Sequence, residues 1–295
     1  MNLDTIQKKG CSATAIPHLV PTPIYGYDRV TLWIDQPELP VSTDYFGAHC
    51  TKFVVKLEQM NYNANWKLKL DIFQPTIICL EQLLESFGAE INTIIVYVEF
   101  ACDTPASNKA QSQQWQLEFI AAAKLEYQQQ SVVNYKGTDY YGRIKGESKR
   151  GHIMVVYSDR PSKLNNAQPK DSDPPCLHIE HRVKGSDFLL TRGIVSLSDL
   201  IKLDFPRFFE NNTQIYKLPK LTELGRLLAH IGKSNTDVST TALRKRANKW
   251  KSKHSIKESF VMHNALKNTQ ELIKHLDKEP FSAWLKKVTN NGNIG

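Results

Sequence analysis

The sequence predicts an α+β fold, a central antiparallel sheet with flanking helices, followed by a basic helical C-terminal region. Three observations predict it. Apolar residues recur at a period of two in short segments between residues 29 and 183, as half-buried strands require. One strongly helical stripe, Ile77 to Phe87, interrupts them. Beyond about residue 205 the period changes to 3.6 and positive charge accumulates. Residues 211–295 hold about 16 Lys/Arg against about 6 Asp/Glu, so the formal charge of +8 belongs to the tail and the remainder is roughly −2.

Taken in order, residues 1–25 are polar and punctuated by Pro17, Pro21 and Pro23, which reads as a loosely ordered arm. Arg29 to Asp35 alternates, with Val30, Leu32 and Ile34 on one face, and Phe53 to Leu57 and Trp66 to Phe73 continue in the same style. Pro75 marks a helix start, followed by Ile77, Ile78, Leu80, Leu83, Leu84 and Phe87 and closed by Gly88. Ile91 to Phe100 is too β-branched for a helix and too apolar for an edge, so it is expected at the centre of the sheet. Residues 107–130 read as helical or weakly ordered. Strands follow around Thr138 to Ile144, His152 to Tyr157 and Leu177 to Val183, with Ser158 to Pro175 as a long exposed loop. The expected division is an arm over 1–27, a sheet domain over 28–205 and a basic helical region over 206–295.

In that last region Leu224, Leu227, Leu228 and Ile231 form one stripe ended by Gly232, and a second helix carries Leu243, Ala247 and Trp250. Arg244, Lys245, Arg246 and Lys249 occupy its other faces. Helix, glycine-containing turn and basic helix outline a helix-turn-helix whose second helix would contact DNA; a solvated basic helix in a bundle has the same pattern. Cys11, Cys50, Cys79, Cys102 and Cys176 are scattered and odd in number, which suits a reducing cytoplasm and excludes a disulfide framework or a CxxC zinc site. No run approaches the roughly 18 apolar residues of a membrane span.

The residues with chemical potential lie in three strands. Tyr157 follows Ile153 and Val155 at period two and is expected as the last strand residue before a loop, which would fix the hydroxyl yet leave it accessible. Glu99 is expected to share a face with Ile95 and Tyr97, and a carboxylate in a buried strand calls for a cation. His178 and Glu180 are two apart, a spacing able to share one divalent ion; ordinary salt bridges between Glu180 and Arg182 would need the same residues. Arg160, Lys163 and Arg182 are candidate cations beside the tyrosine. Tyr140 and Tyr141 are candidate stacking platforms for single-stranded DNA, although neighbouring strand residues face opposite ways, so at least one should be packed inside.

The order of these segments resembles the rolling-circle replication initiators of small plasmids and filamentous phages, the Rep_trans family. Four patches carry the resemblance: Trp66 to Pro75; Ile91 to Asp103; Tyr140-Tyr141-Gly142-Arg143 through Tyr157; and His178-Ile179-Glu180. Thr93 and Ile95 stand where that family has Arg and its first Asp, and Ser158-Asp159-Arg160 replaces the residues usual after the tyrosine. The resemblance implies a Rep-like nickase fold, Tyr157 as nucleophile, and Mg2+ or Mn2+ held by Glu99, Glu180 and His178. From the resemblance together with the basic helix and the aromatic pair, the expected DNA contacts are Tyr140, Tyr141, Arg143, Arg160, Arg182, Arg244, Lys245, Arg246 and Lys249. Implied partners are double-stranded origin DNA, single-stranded DNA and a host helicase and polymerase in a bacterial cytoplasm, with a homodimer among the arrangements allowed and no membrane involved. A DNA-binding regulator with a decayed metal site, as Ile95 suggests, and a mobilisation relaxase stand as alternatives.

Overall fold

The computed structural model describes residues 21–57, 65–125, 133–141, 151–216 and 278–291. Eight strands form one antiparallel sheet: β1 (Ile24–Ile34), β2 (Lys52–Leu57), β3 (Leu68–Phe73), β4 (Thr93–Pro105), β6 (Val133–Tyr135), β7 (Thr138–Tyr141), β8 (Gly151–Arg160) and β9 (Cys176–Lys184). Their order is β2-β3-β1-β4-β9-β8-β7-β6. The β-branched run expected at the centre is β4, flanked by β1 and β9. A smaller sheet joins β5 (Ala123–Leu125), β10 (Thr213–Tyr216) and β11 (Lys278–Glu279).

Helices cover one face of the large sheet. In α1 (Ile77–Phe87) the Thr76 hydroxyl caps the first turn by accepting from the Cys79 amide at 3.2 Å, and Gly88 ends it at φ +56°. α2 (Lys109–Ala122) buries Trp115 and Phe119, while α4 (Leu197–Ile201) accepts the Tyr27 hydroxyl at the Leu200 carbonyl, 2.7 Å away. α3 (Ser186–Leu190) and α5 (Phe205–Asn212) complete the layer, with Phe208 4.1 Å from Phe100, ring to ring. The last described helix, α6 (Phe281–Asn291), packs Trp284 edge-on to Phe119 and Phe281 against Phe209. This helix therefore packs on the core built by residues 24–216. No described helix is long and apolar enough to cross a membrane.

Several expectations are corrected. β1 begins at Ile24, so residues 24–27 belong to the sheet and not to an arm. β8 runs three residues past Tyr157 to Arg160. The segment after it is not wholly exposed: a 3-10 turn at Leu164–Asn166 lies across the start of β1 and buries Leu164. Gly26 makes that crossing possible, since a Cβ there would sit 2.9 Å from the Asn165 side-chain oxygen. Ile95 does not share a face with Glu99. β1 pairs Thr31 with Tyr97 but Leu32 with Ile95, so Val96 is an extra residue that turns Ile95 into the core.

Two buried polar features give measurable predictions. Tyr141 is fully buried against Phe119, and its hydroxyl has no hydrogen-bond partner among the described residues. Tyr141→Phe should leave stability unchanged or raise it by about 1 kcal/mol, read as a denaturation midpoint, because an unsatisfied buried hydroxyl costs on that order. A drop of several kcal/mol would show that the hydroxyl has a partner.

On the helix side, Arg192 donates to His152 Nδ1 at 2.8 Å; His152 Nε2 then donates to His181 Nδ1 at 2.7 Å, and His181 Nε2 to the Thr213 hydroxyl at 2.8 Å. Arginine can only donate, so the direction of the chain is fixed and both imidazoles are neutral. Burial, with Arg192 adding to it, pulls His152 down to about 3 from 6.5, and burial holds His181 well below its ordinary value. Folded-state values below unfolded ones mean that the unfolded chain binds more protons. The contribution of these two histidines to stability is therefore complete above about pH 6.5 and falls as pH drops toward 3, by up to about 1.4 kcal/mol per pH unit for each. Chemical denaturation between about pH 7.5 and 5 should show the parent losing stability relative to His152→Gln as pH falls; parallel curves for the two proteins would refute the assignment.

Candidate active site

The opposite face of the sheet carries the chemistry. Antiparallel pairing sets residues of neighbouring strands in rows pointing the same way: Asp103, His178 and Tyr157 in one; Ala101, Glu180, Val155 and Tyr140 in the next; Glu99, Arg182 and Ile153 in the third. The period-two spacing of His178, Glu180 and Arg182 in β9 thus brings all three beside Tyr157 and Glu99, as their sequence spacing implies.

A residue that strand periodicity missed completes the group. β1 pairs Tyr27 with Phe100 and Arg29 with Glu99, which leaves Asp28 as a bulged residue. Bulges re-aim side chains. Asp28, Glu99 and Glu180 each offer a carboxylate oxygen, all within 4.8 Å of one another. The charged pair Asp28-Arg29 opening an otherwise apolar strand was the available signal in the sequence.

The Tyr157 hydroxyl donates to Glu180 Oε1 at 2.5 Å, and Arg182 donates from Nε and a terminal nitrogen to Glu180 Oε2 at 2.9 and 2.6 Å. Arg182 Nε also lies 3.6 Å from Glu99, whose carboxylate accepts from the Tyr97 hydroxyl. Burial pushes Glu99 up to about 8; Arg182 opposes this, while the charge of Glu180 and a hydrogen bond with Asp28 add to it. Burial likewise raises Glu180. Tyr157 is held well above 10 by burial and then by the charge of Glu180. In this state it is a neutral phenol, donating and poorly nucleophilic.

His178 stands outside the cluster of Asp28, Glu99 and Glu180. Its ring stacks on Tyr157, centroids 4.4 Å apart and 14° between planes. Nδ1 lies 2.8 Å from Asp103 Oδ1 and Nε2 2.8 Å from the Arg160 carbonyl. Both partners are acceptors, so both nitrogens carry hydrogen and neither has a lone pair free for a metal. Burial lowers the His178 pKa, but the hydrogen bond and charge of Asp103 outweigh it and raise the value above 6.5. The expected ligand role of His178 is thereby corrected: it is a cationic platform under the tyrosine ring, and Asp28 takes its place among the oxygens.

The remaining expected residues divide. Arg182 is committed to Glu180 and Glu99 and is not free to contact DNA by itself. Arg160 is exposed at the end of β8, and Tyr140 is half-buried on the site face. Tyr141 faces the core and cannot stack on a base without unfolding β7. Arg143, Arg244, Lys245, Arg246 and Lys249, with the helix-turn-helix pattern, lie outside the described residues.

Whether a divalent ion suits this cluster follows from its donors and charge. Three carboxylates, two of them buried, meet a single guanidinium, and hard oxygen donors are what Mg2+ and Mn2+ take. The set fits such an ion. No protein-family model and no curated protein matches the sequence. A solved rolling circle replication initiator protein from Geobacillus stearothermophilus is similar in structure at a TM-score of 0.35 and 9% identity, over 68% of this chain and 89% of that chain. A likeness of that size carries no functional weight.

Proposed function

We propose that the chain is a site-specific DNA-nicking enzyme that initiates rolling-circle replication, with Tyr157 as nucleophile and Asp28, Glu99 and Glu180 as the seat of Mg2+ or Mn2+. The observation that carries this reading is the Tyr157 hydroxyl 2.5 Å from Glu180, inside a cluster of three carboxylates on the sheet face opposite the helices. A divalent ion bound there supplies charge neutralisation for a phosphodiester and for the carboxylates themselves.

The protein's own groups do the rest. His178 fixes the phenol ring by stacking, and its positive charge lies against the face of a ring that must become anionic. Glu180 accepts the phenol proton as the tyrosine oxygen attacks phosphorus. The new bond is Tyr157 O–P; the bond broken is P–O3′, whose oxygen takes a proton from solvent water and leaves as a 3′-OH. The DNA remains linked to the protein through its 5′ phosphate. Arg182, hydrogen-bonded to Glu180 and 3.6 Å from Glu99, keeps Glu180 oriented after it has taken the proton.

Arg160 and Tyr140 would contact the cut strand, while the basic tail would bind duplex origin DNA. A regulator with a decayed metal site loses its motive, because Ile95 faces the core and takes nothing from a cluster whose third carboxylate is Asp28. The test is incubation with supercoiled DNA of the parent replicon and Mn2+. A nicked circle with protein covalently attached to its 5′ end is expected; intact circles with bound, non-covalent protein would favour the regulator.

A further inference from the structure

We infer that Gln74 is the positioning residue that sets the Asp28 carboxylate in the acidic cluster, held in register by Thr51; this rests on the reading of that cluster as a divalent-ion site. Gln74 directly follows β3 and has φ +42°, a left-handed conformation that side-chain-bearing residues rarely adopt. Every polar group it owns is engaged. Its amide N–H donates to the Asp28 carbonyl at 3.0 Å, and its carbonyl accepts from the Asn166 amide at 3.1 Å. Its side-chain NH2 donates to Asp28 Oδ1, and its side-chain oxygen accepts from the Thr51 hydroxyl.

The arrangement has a direction. Thr51 and Asp28 lie on opposite sides of the Gln74 side-chain amide; a carboxylate only accepts, so the NH2 faces Asp28 and the amide oxygen faces the Thr51 hydroxyl, which also lies 3.2 Å from the Phe73 carbonyl. Asp28 needs such a guide more than its partners do. Glu99 and Glu180 stand in paired strand positions, whereas Asp28 is the unpaired residue of a bulge. Strained backbone persists where surrounding structure over-determines it, and here the strain at Gln74 is tied to the direction of one carboxylate oxygen. The same backbone bond to Asn166 joins this strut to the segment that crosses β1 after the Tyr157 strand.

Substitution separates this role from a merely structural one. Glycine adopts φ +42° without strain, so Gln74→Gly keeps the turn and removes only the side-chain amide. Thr51→Val changes an exposed residue and removes the hydroxyl that meets the amide oxygen. Mn2+ binding to each full-length protein, followed by isothermal titration and by the loss of free Mn2+ resonance signal, is expected to weaken about 10- to 100-fold for Gln74→Gly and less for Thr51→Val, the range typical of residues that orient ligands. Melting temperatures without metal should stay near the parent's for both. Saturating Mn2+ should restore most of the parent nicking rate, so the defect lies in metal affinity. Parent-like Mn2+ affinity in both variants would overturn the inference while leaving the metal site standing. A parent protein that binds no Mn2+ would overturn the metal reading, and the role of Gln74 with it.

Discussion

Tyr157→Phe is expected to give a protein that folds and binds DNA but forms no covalent adduct, with nicking at least about 10³-fold below the parent. The substitution removes one oxygen. Phenylalanine keeps the ring stacked on His178 and the strand pairing of β8 with β9. The cost to stability should be about 1–3 kcal/mol, because Glu180 loses a donor in a buried site but keeps both bonds from Arg182. That sign is opposite to the expectation for Tyr141→Phe, and Tyr140→Phe should retain the adduct. Denaturing gel electrophoresis of labelled DNA reads adduct formation directly. An adduct of parent intensity in Tyr157→Phe would remove the nucleophile assignment and move attention to Tyr140, which shares the face.

The strands, the central place of β4, and the convergence of Tyr157, His178, Glu180 and Arg182 were legible because a period of two is a geometric constraint that survives in any sheet. What was not legible came from departures from that period. The bulge at Asp28 added a carboxylate to the site, and the one at Val96 carried Ile95 into the core; each is a single extra residue that no alternation pattern marks. The role of His178 was equally hidden. A histidine two residues from a glutamate reads as a ligand until its ring nitrogens are found on Asp103, four residues beyond Glu99 in the chain, and on the Arg160 carbonyl. Gln74 gives no sequence signal at all, since its effect depends on a backbone angle. The change of period near residue 205 falls among helices, since α3 and α4 precede it and β10 directly follows α5, and it does not mark a boundary in packing. Trp284 and Phe281 of α6 sit in the core beside Phe119 and Phe209, because apolar helix faces pack on whatever apolar surface the sheet domain leaves open.

Neutralising Glu99 and neutralising Glu180 should differ in the metal-free protein and converge when a divalent ion is added. In the metal-free protein the cluster holds more negative charge than Arg182 offsets, which is why burial and the charge of Glu180 together leave Glu99 pushed up to about 8. Glu99→Gln preserves shape and hydrogen-bonding atoms while removing a charge that the site resists. Metal-free Glu99→Gln should therefore melt no lower than the parent near neutral pH. Glu180→Gln is different: it removes the carboxylate to which Arg182 donates twice, and should cost about 1–3 kcal/mol. Added Mn2+ then separates parent from variants. An ion at about 100 times its dissociation constant stabilises the folded parent by about 2.7 kcal/mol, a shift of several degrees for a chain of this size. Both variants should lose most of that gain, and both should nick more slowly than the parent by orders of magnitude at the same Mn2+ concentration. If the parent nicks fully in EDTA, or if the variants gain as much from Mn2+ as it does, the carboxylates are structural. Glu180 would then serve to orient Arg182 and to hold the Tyr157 hydroxyl, with the excess charge balanced by the DNA-binding cations and not by a metal.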